Sequence, residues 1–340
     1  MNRLDEWTHQ FLKEYIIASK ESISSTLSAL LGEKEGIFLT QKLKDISSSI
    51  DPSINQDIKP FDALPQNTTE QKTTDKKNQA PLMGLAPQIY QEQALEIPQK
   101  ISKIPFINAF LKEQKKGLNI LVTNRLAIDG FPDFQQAFPD VSKVQTGIDM
   151  GNLLEANLYQ NALKDKREGR DISYLDTEPL FCQNKTLAYQ VYAHELAHWI
   201  NNQKTVHFTN YFQKKHKLSD ANMNKIKERF NLLFREMYSS NQDNDVLKYC
   251  RFEEAYCHAM GVILPVKAGY SFNKQLAYKS QQELSRFIEE MNQNGKAYLS
   301  HPSPNQWSEI IDTVVSLPSL QTQLQKTNLA LNQQMQAGGR

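Results

Sequence analysis

The sequence predicts an α+β fold with a small sheet, a mainly helical C-terminal half and an N-terminal helical segment in front. Two observations carry this. Leu118-Asn119-Ile120-Leu121-Val122-Thr123 and the shorter Pro179-Leu180-Phe181-Cys182 have the apolar composition of strands. After residue 186 the apolar residues instead recur at steps of three and four, the helical period. The chain has 340 residues, a net charge of +1, 39% hydrophobic and 23% charged residues. That length suits two domains, or one large domain with a tail. The near-neutral balance lacks the basic excess expected of a nucleic-acid binder.

Residues 1–50 read as an N-terminal helical segment. Leu4, Trp7, Phe11, Tyr15, Ile23, Leu27 and Leu30 share a helical stripe, Gly32 is a stop, and a second helical stretch runs from Ile37 to Ile50. Residues 51–100 read as a flexible linker. They hold six of the 14 prolines and a polar run from Gln66 to Gln79, too little apolar surface to offset the entropy of ordering. Residues 101–335 read as the main domain. Asp129-Gly130-Phe131-Pro132-Asp133 is loop chemistry between the two strands. Ser219-Asp220 caps a helix whose inner face is Ile226, Phe230, Leu233, Phe234 and Met237. A further helix spans about 246–260, with Gly261 as its stop, and Leu276, Leu284, Phe287, Ile288 and Met291 suggest another.

The three cysteines, Cys182, Cys250 and Cys257, build no disulfide framework, which points to a reducing compartment. Acids at Asp5 and Glu6 stand where a signal peptide needs basic residues before an apolar run. No apolar stretch approaches the roughly 20 residues of a membrane span. The expected location is the cytoplasm, or outside it by export without a cleaved signal peptide.

The chemistry lies in His194-Glu195-Leu196-Ala197-His198, within a helical stretch that Asn184 or Thr186 is placed to cap. Residues four apart share a helix face, so both imidazoles can meet one metal ion. Glu195 is rotated about 100° from His194. It can reach a zinc-held water without being a ligand, take its proton and return it to a leaving amine. A third ligand is needed. His207 lies too far along for the metzincin spacing. The segment Arg251-Phe252-Glu253-Glu254-Ala255-Tyr256-Cys257-His258 offers two acids among apolar neighbours. Glu253 lies closer to the apolar arc. Glu254 is followed by Cys257 and His258, and His258 is placed to support a ligand by hydrogen bonding. Glu254 is taken first and Glu253 second. His301 and Tyr298 are candidate donors to the oxyanion of a tetrahedral intermediate, and Asp176 and Glu178 are candidates to line a substrate cleft. Cys182 reads as a small core residue.

With these residues in place the sequence resembles the gluzincin peptidases, most nearly the HtpX and CAAX-prenyl-protease family. The resemblance rests on His194-Glu195-Leu196-Ala197-His198, on a glutamate helix about 56 residues later, and on Leu299-Ser300-His301-Pro302-Ser303-Pro304 ahead of a helix, which is similar to that family's Thr-His-Pro-Ser element. It covers about 190–312. It implies a zincin-like metallopeptidase domain and a zinc-dependent endopeptidase, with His194, His198 and Glu254 as ligands to Zn2+ and Glu195 as general base. The resemblance implies a protein or peptide substrate; the charge balance and the short apolar runs, read directly, point to neither a nucleic-acid partner nor a transmembrane segment, and the N-terminal helices are free to bind a further protein. The competing expectation is a non-catalytic interaction module that retains a zincin-like core.

Overall fold

Leu4, Trp7, Phe11 and Tyr15 form the start of one apolar stripe, and the chain around them is helical: α1 runs Arg3–Leu31. It ends at Gly32, whose φ of +89° is the left-handed value that glycine adopts without a Cβ penalty. The Gly32 N–H donates to Ser28 O at 2.9 Å, and α2, Glu33–Ser48, then folds back along α1. Gly36 makes that close return possible, because a Cβ there would overlap the backbone of Ser28.

The computed structural model describes residues 3–48, 96, 99–113, 118–123, 171–176, 185–239, 244–275, 277–278 and 300–338. The remaining helices are α3 (Pro105–Glu113), α4 (Lys185–Lys215), α5 (Asp220–Ser239), α6 (Asp245–Lys267), α7 (Pro304–Val315) and α8 (Pro318–Gly338). Strands β1 (Leu118–Thr123) and β2 (Asp171–Asp176) form one parallel pair, in register from Leu118↔Asp171 to Thr123↔Asp176. Most of the 51–100 linker, the strand at 179–182, the loop at 129–133 and the helix suggested by Leu284 to Met291 lie outside the described residues.

The α+β expectation is corrected. The described residues are helical almost throughout. One two-stranded ladder is not a sheet layer, which takes three or more strands. The apolar stripes of long helices supply the described core. Gly261 is corrected as well: α6 runs through it to Lys267, past an internal Pro265. The chain leaves the helix at Gly269, with φ +85°.

Two units divide the chain. The first comprises Met1–Asp62, Ile200–Ala259 and Gln281–Ser319. Within it Phe11 packs with Phe208, Phe212, Met223 and Ile226, and Leu12 and Ile16 pack with Val246 and Tyr249. Ser219 Oγ accepts from the Asn222 N–H at 3.3 Å at the start of α5. Ser303 caps α7 in a reciprocal box with Gln306, whose amide also donates to Ile46 O at 2.8 Å. The second unit comprises Ala63–Trp199, Met260–Ser280 and Leu320–Arg340. There Phe110 meets Trp199 edge to face at 5.7 Å, and the Tyr189 and Tyr270 rings stack at 3.8 Å. No helix among the described residues is long and apolar enough to cross a membrane.

Candidate metal centre

The motif helix α4 is buried on several sides at once. Tyr192, Ala193, Leu196, Ala197, Trp199 and Ile200 are buried, while His194 and His198 keep partial exposure. The small Ala193 and Ala197 flank the histidines. The two imidazoles lie with ring centroids 4.9 Å apart at 70°, as residues one turn apart do. On α6, Phe252, Ala255, Tyr256 and Ala259 are buried and Glu254 is half-buried.

His194, His198 and Glu254 each offer a ligand atom, and these atoms all lie within 4.8 Å of one another. Among the described residues this is the one group of three or more such side chains able to hold a metal ion. Two imidazole nitrogens and a carboxylate oxygen suit zinc and its transition-metal neighbours rather than calcium or magnesium, which take all-oxygen ligands.

Glu253 is not in the group. Its Oε1 accepts from Asn201 Nδ2 at 2.6 Å, and the same amide donates to Tyr249 Oη at 3.1 Å. The backbone of Glu195 lies in α4, but its side chain, Tyr298, Glu178 and Cys182 are outside the described residues. Asp176 ends β2. His301 stands beside the group, its Nε2 3.7 Å from Glu254 Oε2, with side chains only 21% and 13% exposed. His258 is buried and packs its ring on Trp307 at 3.9 Å, with the His301 ring 6.1 Å away.

Sequence reasoning missed two polar residues here. Tyr238, at the end of α5, lies with its hydroxyl 3.2 Å from Ser300 Oγ. Burial pushes its phenol above the usual tyrosine range, and the nearby Cys250 and Glu254 add to this. Its spacing of four from Phe234, on the inner face, was the available signal. Asn201 follows His198 by three and so lies near the same helix face, which marks a buried amide there as a candidate support.

No family model, no curated protein and no solved structure matches this chain. The site stands on its own residues: a trio able to hold a metal ion, carried by two helices.

Proposed function

We propose that the chain is a zinc-dependent endopeptidase acting on a protein or peptide, with His194, His198 and Glu254 as zinc ligands and Glu195 as general base. The observation that carries this is the convergence of the three ligand atoms to within 4.8 Å, with Glu195 next to the first ligand in sequence. When bound, zinc would supply Lewis acidity to a substrate carbonyl and lower the pKa of water to about 7. Glu195 would be the residue to accept a proton from the attacking water and to hand it to the leaving amine. His301, 3.7 Å from Glu254 Oε2, is suited to hold that carboxylate in place.

The test is zinc per chain by elemental analysis, on protein purified without a metal-affinity tag, beside His198→Ala. About one zinc in the native chain and little in the variant supports the ligand assignment. Glu195→Gln should then keep its zinc while hydrolysis of an unstructured protein falls by about 10²–10⁴. A folded native chain that neither carries nor takes up zinc sinks the proposal.

A further inference from the structure

Two contacts join α4 and α6 on either side of the three ligands. At one end, Gly261 sits against the backbone of Gln190: a Cβ on Gly261 would come within 2.9 Å of Gln190 O and 3.6 Å of its C and Cα. A gap of that size is filled by backbone rather than by a movable side chain, so glycine is required where the helices touch. At the other end, the Asn201 amide ties Glu253 at 2.6 Å and the Tyr249 hydroxyl at 3.1 Å. Along α4 the order is Gln190, His194, His198, Asn201. Along α6, read backwards, it is Gly261, Glu254, Glu253, Tyr249. The helices therefore run antiparallel, and both ends of the ligand-bearing stretch are held.

Gln190, His194 and His198 recur every four residues on one side of α4, and Glu254 and Gly261 are seven apart on one side of α6. The spacing that lets Gly261 meet Gln190 is thus the spacing at which Glu254 meets the histidines. Gln190 is 4% exposed and Asn201 2%, so neither contact faces solvent. Glu253 fits the same reading: its carboxylate accepts from Asn201, one helical step from Glu254.

We propose that Gly261 and Asn201 are positioning residues for the metal group, setting the separation of α4 and α6 that brings Glu254 to His194 and His198. This rests on the zinc reading above. Supports of metal ligands typically contribute ten- to a hundredfold in affinity.

The experiment measures zinc affinity by chelator competition, and the visible spectrum of the Co2+-loaded protein, for native chain, Gly261→Ala and Asn201→Ala. Leu43→Ala, in the core of α2, serves as a variant that loses stability without touching either contact. The expected result is a fall of about ten- to a hundredfold in zinc affinity for each of the two variants, with altered Co2+ bands, while Leu43→Ala binds zinc as the native chain does. If Gly261→Ala does not fold, Asn201→Ala decides, because it removes atoms and adds none. Folded variants with native affinity and native Co2+ bands overturn the inference and leave the zinc reading standing. A parallel loss in Leu43→Ala also overturns it, since the effect is then one of stability. A native chain that binds no zinc overturns both.

Discussion

Glu253 and Glu254 are neighbours on one helix, yet their surroundings assign them different work. Glu254 belongs to the metal-capable trio, and Glu253 is held by Asn201. Glu254→Ala is therefore expected to lower zinc affinity by more than about a hundredfold, beyond the loss of a supporting residue. Glu253→Ala should still reach one zinc per chain at saturation, with affinity down by about tenfold. Chelator competition on both variants checks this, and zinc retained by Glu254→Ala but lost by Glu253→Ala would exchange the two roles. At this scale the sequence was legible where the chemistry is local. His194, Glu195 and His198 follow from a single helical turn. Asn201 and Tyr238 were not, because their meaning depends on Glu253, 52 residues away, and on Ser300, 62 away. No spacing rule reaches that far.

Among the elements, α1 and α2 carry more of the described core than their place at the N-terminal end of the sequence suggests. Phe11 is 2% exposed and meets Phe212 and Phe230 nearly at right angles, at 5.0 and 5.1 Å. Truncating a buried phenylalanine in such a cluster costs about 3–5 kcal/mol. Phe11→Ala is accordingly expected to lower the urea midpoint by that equivalent, whereas Ile17→Ala, at a position 48% exposed, should change it little. Gly36→Ala tests the hairpin: its Cβ overlaps Ser28, so overpacking of about 1–3 kcal/mol should outweigh alanine's better helix propensity. The stripe of α1, its stop at Gly32 and the Ser219 cap were readable from period and local chemistry. The sheet was overweighted because the short apolar runs that suggested strands occupy little of the chain, while the described residues are helical almost throughout. Gly261 misled for a related reason. Glycine serves both as a helix stop and as a point of close approach, and only the partner helix tells the two apart.

Taken over the whole molecule, the buried tyrosines set a limit at alkaline pH. Tyr192 and Tyr249 are 3% and 1% exposed. Burial alone pushes the Tyr192 phenol up, and burial with the charge of Glu253 pushes Tyr249 well above the ordinary value of 10.0. Tyr238 moves the same way, again chiefly by burial. Each of these groups holds its proton in the folded chain at a pH where the unfolded chain has released it. Their contribution is fully present below pH ~10 and declines above it, by about 1.4 kcal/mol per pH unit for each tyrosine. The buried tyrosines should ionise together, in a step that coincides with loss of helix. Absorbance at 295 nm followed alongside circular dichroism at 222 nm tests this. A smooth titration of every phenol near pH 10 with the helical signal intact would show that these side chains are open to solvent, and the packing of Tyr249 against Asn201 at the metal group would fall with it.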